Sequence, residues 1–407
     1  MIFLYVSALL LSIATPLSIA LDHIAIAIGL LGLILRVKRI KLRDLDFRVL
    51  GVSGVGFLSS IFSVDPLKSV KKSHYLWHFL PYFILSRLDR SRIKTVIVVL
   101  GISFIVSSLA VIFQAFTGLT LNSKLLHQLN HLHFFSTPIR SKGVFSAYLT
   151  TAGILAPITL LFFSLSFFER KRLRVFFISV AVIGFIALIL NFSRSYWIGT
   201  LTAVLVMPFL YFKKKSFAFV PVVAVVMAFC LYQFVPSINR RVKTIINYKK
   251  DVSAMDRIAL WKAGLNLYNH YDLKRKLIGC GSGNLFGLLK PYLRSSVIEV
   301  FGTKNIGSHF FSSVHNEYLQ ILLKWGIVGL LVWFYLWGYV LYRNFLFLKE
   351  TDNEFYRGLV LGLTMGFLAF LVGGFFEHNV GDAEVIILIM FLLGINKNIL
   401  DSLEGVR

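Results

Sequence analysis

Val314-His315-Asn316-Glu317-Tyr318-Leu319-Gln320-Ile321-Leu322-Leu323-Lys324-Trp325-Gly326-Ile327-Val328-Gly329 joins two kinds of chain. Before it, from Pro236, runs the longest polar and basic segment of the sequence. After it the chain is apolar, as it is over most of its length. Chemistry needs gathered polar groups, so the segment from Pro236 to Gly329 is where a site is sought first.

Working outward, the 407 residues are 57% hydrophobic and 15% charged, with a mean hydropathy of +0.75. Soluble domains average about 25% charged residues. Repeated continuous runs of Leu, Ile, Val and Phe, without two-residue alternation, predict membrane helices and not a barrel. The runs fall at 1–14, 16–35, 47–63, 76–85, 95–116, 143–168, 175–190, 198–212, 217–235, 315–341, 358–376 and 385–395. The basic clusters 36–48, 87–94, 169–174, 213–215 and 343–357 follow even-numbered runs, which predicts about twelve spans with both ends on the cytoplasmic side. The expected fold class is an all-α polytopic membrane protein with one large external loop. Its parts are 1–235 with nine spans, 236–312 as the loop, and 313–407 with three more. Met1 to Ala20 lacks a basic leader and a small-residue cleavage site, so it reads as a retained first span.

The net charge is +24. Its clusters lie between apolar runs, so topology accounts for most of it and nucleic acid is not an expected partner. The loop is the exception: Pro236 to Val314 holds 13 Lys and Arg against 4 Asp and Glu. Long loops are translocated largely regardless of charge. The excess predicts an anionic partner, either lipid phosphates or a substrate. Cys230 and Cys280 sit in different surroundings, and no disulfide is expected.

Several small motifs carry little. Asp44-Leu45-Asp46 lies among arginines and reads as local charge balance. Asp22 and His23 read as interfacial. His127, His131 and His133 lack a nearby acid and read as loop residues; no metal site and no cofactor is expected. Gly279-Cys280-Gly281-Ser282-Gly283-Asn284 has no following Gly-Lys-Ser/Thr and reads as a flexible turn. Ser253-Ala254-Met255-Asp256 predicts a capping box opening a helix with an apolar stripe at Ala254, Ile258, Trp261, Leu265 and Tyr268.

Three residues stand out chemically. Arg194 lies between two apolar runs, where it either snorkels to headgroups or aims a planar, permanently charged fork at a phosphate. Arg257 is in the first turn of the loop helix, beside the stripe, on the surface or facing a site. His315 stands at the re-entry of the chain into an apolar run, where it either caps the helix or serves as a general base.

Phe192-Ser193-Arg194-Ser195-Tyr196-Trp197, Asp256-Arg257-Ile258-Ala259-Leu260-Trp261 and the Gly279–Phe286 turn together resemble the O-antigen ligase/polymerase superfamily of membrane glycosyltransferases. His315-Asn316, nine residues, then Gly326-Ile327-Val328-Gly329 is similar to that family's ligase motif. Arg140-Ser141-Lys142-Gly143-Val144-Phe145-Ser146 resembles a further pattern of it. The Leu330-Leu331 that follows departs from the Thr-Thr of some ligases.

The resemblance implies a GT-C-like fold in the bacterial inner membrane, with the loop and the site in the periplasm. It implies an undecaprenyl-pyrophosphate-linked glycan as donor, the lipid A-core as acceptor, and inversion without a metal. It implies that Arg194 and Arg257 hold the pyrophosphate and that His315 deprotonates the acceptor. Asn316, Arg140, Tyr196, Glu377 and Asp382 become expected substrate-binding residues. An O-antigen polymerase or a protein O-oligosaccharyltransferase uses the same donor, and a polyprenyl-lipid transporter is the non-enzymatic alternative.

Overall fold

The computed structural model describes residues 2–119, 139–211, 219–302 and 313–404. His127, His131 and His133 lie outside them. The described residues form helices α1 (Ile2–Ala14), α2 (Ile19–Ile34), α3 (Asp44–Ile61), α4 (Pro66–Lys71), α5 (Leu80–Ser86) and α6 (Ile93–Thr117). There follow α7 (Tyr148–Ser166), α8 (Lys171–Leu190), α9 (Arg194–Leu210), α10 (Phe219–Phe234), α11 (Pro236–Ile246) and α12 (Val252–Asn269). The chain ends in α13 (Leu273–Ile278), α14 (Leu285–Phe301), α15 (Glu317–Glu350), α16 (Glu354–Gly373) and α17 (Ala383–Glu404). The fold is all-helical, and no strand occurs among the described residues.

Each expected span falls on one of these helices. Among the described residues, however, six helices are long and apolar enough to cross a membrane, or seven if the bent pair α10–α11 counts as one. The shortfall from twelve has a physical source. Charges occupy the first turn of α3, while α1, α2, α5 and α9 run only 13, 16, 7 and 17 residues. A span needs about 20 apolar residues at 1.5 Å each.

Helices α7, α16 and α17 are almost wholly buried and form the centre of the bundle. In lipid there is little hydrophobic drive between helices, so close packing must hold them. Small residues allow it: Gly362 and Gly366 of α16 lie against the backbone of Leu161 and Pro157 of α7, and Gly199 of α9 lies against Ala369 of α16. At the opposite extreme, α10 buries none of its residues.

The segment between α10 and α15 has a small core of its own. Leu260, Ala263 and Leu267 of α12 and Leu285 and Leu289 of α14 pack with Leu319 and Leu323 of α15. This face differs from the stripe expected from spacing. Leu265 is exposed, while Ala259, Leu260, Ala263, Gly264 and Leu267 are buried. The cap also differs: the side chain of Asp251, not Ser253, accepts the Ala254 amide at 2.9 Å. The helix therefore starts two residues earlier, and Ala254, Ile258 and Trp261 border a cleft.

The glycine turn is clamped and not loose. Cys280 and Gly281 donate to the carbonyls of Leu323 and Lys324 at 3.0 and 2.9 Å, where α15 breaks at Gly326 (φ 70, ψ −171). A Cβ on Gly326 would strike the Leu277 carbonyl, and one on Gly279 would strike the Lys324 carbonyl. Both positions need a left-handed φ and close backbone approach, which only glycine supplies readily.

Asp22, in the first turn of α2, is fully buried in the protein, and His23 Nε2 meets buried His78 Nε2 at 3.3 Å. The local charge balance expected of Asp44-Leu45-Asp46 holds for Asp44, which pairs with Arg48 at 3.9 Å, but Asp46 is balanced by a distant residue: Arg87 forks onto both carboxylate oxygens at 2.8 and 2.9 Å.

Candidate functional site

A cleft of about 430 Å³ opens between the start of α9, helices α11 and α12, the turn before α7 and His315, two residues before α15. Arg140, Arg194, Arg241, Arg257 and His315 all line it. Distant stretches of chain thus converge on one basic hollow.

Each side chain is placed by a local device. The turn carrying Arg140 is shaped by Gln114, whose Oε1 accepts from Ser141 Oγ and from the amides of Lys142 and Gly143 at 2.7–2.9 Å. Asn191 ties that turn to the α8–α9 junction by donating to the carbonyls of Ser141 and Tyr148 at 2.7 and 3.0 Å. Arg194 is the first residue of α9, so its side chain projects from the helix start. Val235 is extended and Pro236 cannot donate to the turn before it, so α10 ends and α11 leaves at 104°. That bend carries Arg241 and Thr244 to the cleft.

His315 is held from both sides. The Val314 carbonyl accepts from Trp261 Nε1 at 3.1 Å, and the Val314 amide donates to Gln320 Oε1 at 2.9 Å. After it, Asn316 caps α15 by accepting the Leu319 amide at 2.9 Å and donates to the Phe375 carbonyl at 3.0 Å. Between these anchors His315 adopts φ +48. Phe192, two residues before Arg194, has φ +56. Left-handed backbone at a residue other than glycine costs about 1–3 kcal/mol and gathers at functional sites.

Two buried carboxylates organise the cations. Glu377, with its side chain 6% exposed, accepts from Arg257 Nη2 at 2.6 Å through one oxygen. Its other oxygen meets His315 Nδ1 at 3.1 Å. The Arg257 Nε also donates to the Phe376 carbonyl at 3.2 Å. A carboxylate only accepts, so this contact puts the imidazole proton on Nδ1 and leaves Nε2 as the basic nitrogen. Asp251 receives both terminal nitrogens of Arg194 at 2.8 and 3.3 Å. Burial pushes the Asp251 carboxyl upward, but the hydrogen bonds from Arg194 and the Ala254 amide outweigh it and hold it below the usual range.

Arg140 and Arg241 have no such partner. Arg140 lies over the Tyr148 ring at 4.4 Å, and its Nε is buried without a hydrogen bond. Arg241 donates its Nε to the Phe192 carbonyl at 3.2 Å. Burial, then the charges of Arg194 and Arg140, lowers the Arg241 guanidinium to about 10. Burial likewise lowers Arg140, with Arg257 and Arg194 adding to it. Arg241 remains charged near neutrality.

Three expected substrate-binding residues are otherwise engaged. Asn316 is a helix cap. Tyr196 is fully buried, with its hydroxyl 3.0 Å from Asn379 Oδ1. Asp382 meets the Thr150 hydroxyl at 2.5 Å and does not line the cleft. Glu377 lies just behind the cleft wall, holding Arg257 and His315. Asp251 and Arg241 went unnoticed in the sequence. Asp251 precedes the expected cap, and Arg241 is one of the 13 Lys and Arg of the loop, with no local pattern that sets it apart. Among the described residues, no group of three or more His, Cys, Asp or Glu is arranged to hold a metal ion.

Residues 179–334 match the family model described as O-antigen ligase. That range contains Arg194, Arg241, Asp251, Arg257 and His315; Arg140 and Glu377 lie outside it. No curated protein matches the chain. The match over residues 179–334 supports membership of the O-antigen ligase superfamily.

Proposed function

We propose that the chain is an O-antigen ligase, which moves a glycan from a polyprenyl pyrophosphate to the lipid A-core outside the inner membrane. The observation that carries this reading is the Arg257–Glu377–His315 relay set across a cleft from the Arg194–Asp251 pair. In the proposed step, His315 Nε2 takes the proton of an acceptor hydroxyl. The hydroxyl oxygen attacks the anomeric carbon, and the bond from that carbon to the pyrophosphate oxygen breaks. The electron pair leaves with the pyrophosphate, and the anomeric centre inverts. The guanidiniums stabilise the charge growing on the leaving group, in a site partly withdrawn from water where such contacts are strong. The apolar cleft wall at Leu149, Ile198 and Ile258 suits the start of a polyprenyl tail.

The test is transfer by the purified protein from a lipid-linked glycan to defined acceptors. His315→Ala is expected to abolish transfer while thermal unfolding stays unchanged. Wild-type transfer by that variant would overturn the assignment. Transfer to a second repeat unit in place of lipid A-core would instead mark a polymerase.

A further inference from the structure

The four guanidiniums of the cleft fall into two classes. Arg194 and Arg257 are each neutralised by a buried carboxylate, Asp251 and Glu377. Among the described residues, no carboxylate pairs with Arg140 or Arg241. Burying such charges without a counter-charge is costly, and the lowered proton affinity of both groups is a sign of that cost. Two other polar atoms in the cleft also lack partners: Arg140 Nε and the Ser195 hydroxyl, on a side chain that is itself buried.

We propose that Arg241, acting with Arg140, is the receptor for the donor's pyrophosphate dianion, while Arg194 and Arg257 are pre-set by their carboxylates. This rests on the glycan-transfer reading and refines it. A polyprenyl pyrophosphoryl glycan is a diphosphate diester carrying two negative charges. Two unneutralised guanidiniums match that charge, whereas Arg194 and Arg257 already hold theirs.

The placement of Arg241 supports this. Helix α11 buries only Ile238, so the bundle grips it weakly. Its side chains meet the α8–α9 junction at two points: Arg241 on the Phe192 carbonyl, and Thr244 on Arg194 at 2.6 Å. Arg241 spends only Nε on that attachment, which leaves the fork of Nη1 and Nη2 for the ligand. The adjacent Arg240 is exposed and does not line the cleft.

The experiment measures binding of a short-chain polyprenyl pyrophosphate and of the matching monophosphate to the full-length protein in lipid nanodiscs. Arg241→Gln is expected to weaken the pyrophosphate by about tenfold or more, the effect of losing a charge-assisted hydrogen bond, and to affect the monophosphate far less. Arg241→Lys, which keeps the charge and loses the fork, is expected to fall between. Arg240→Gln should bind both probes as the wild type does. His315→Ala should bind pyrophosphate normally while failing to transfer glycan, which separates donor binding from catalysis. If Arg241→Gln binds pyrophosphate like the wild type, or loses both probes equally, the assignment of Arg241 fails and the transfer reading stands. If the wild type binds neither probe, both fall.

Discussion

Replacing Glu377 with glutamine tests the relay at its centre. Glu377 accepts from Arg257 Nη2 at 2.6 Å and meets His315 Nδ1 at 3.1 Å, one oxygen to each. An amide keeps the shape but has one acceptor and one donor end. Both neighbours present N–H groups, so at least one contact is lost. A hydrogen bond involving a charged group contributes about 1.5–3 kcal/mol, and an orphaned buried donor costs a similar amount. If that contact matters only as the acceptor is deprotonated, kcat falls about 10–150-fold. If the imidazole instead accepts from the amide, its proton moves to Nε2 and the base is lost, extending the fall to about 10⁴-fold. The assay is glycan transfer to lipid A-core at saturating donor, with thermal unfolding as a control. A folded Glu377→Gln protein with a kcat within about threefold of wild type would refute the relay, since about 0.6 kcal/mol is too little for a lost charge-assisted bond.

Arg194→Lys keeps a cation but cannot fork onto Asp251. Transfer should fall by at least about tenfold, and full activity would return Arg194 to a snorkelling role. Gly326→Ala should lower the thermal midpoint, because the residue needs φ 70 and a Cβ would strike the Leu277 carbonyl; an unchanged midpoint would mean that α15 can straighten. Asp251 has a depressed carboxyl in the folded protein, so the stability it contributes is present above the usual carboxylate value near 3.9 and is lost as pH falls below it. Acid denaturation curves of Asp251→Asn should lack that contribution across the same window, and identical acid limbs would deny the pair a role in stability.

The sequence by itself determined that this chain is helical and apolar, and where its helices lie. Leu- and Phe-rich runs must satisfy their own backbone groups in hydrocarbon, so composition alone dictates helix there. It also marked Arg194, Arg257 and His315, because ionisable groups beside such runs are expensive and need a reason. It could not say which of them are neutralised. Asp251 lies 57 residues from Arg194, and Glu377 lies 120 from Arg257 and 62 from His315. Such pairings depend on how the helices pack, which no local spacing records. The same holds for the buried face of α12, which turned toward α14 and α15 and split its regular apolar stripe: Ala254, Ile258 and Trp261 reach the cleft, Leu265 is exposed, and Tyr268 packs against the small core. Arg241 shows this most clearly. In the chain it is one basic residue among several after Pro236. Only the bend at Val235 and the docking of α11 on the Phe192 carbonyl make it a half-buried cation facing three others.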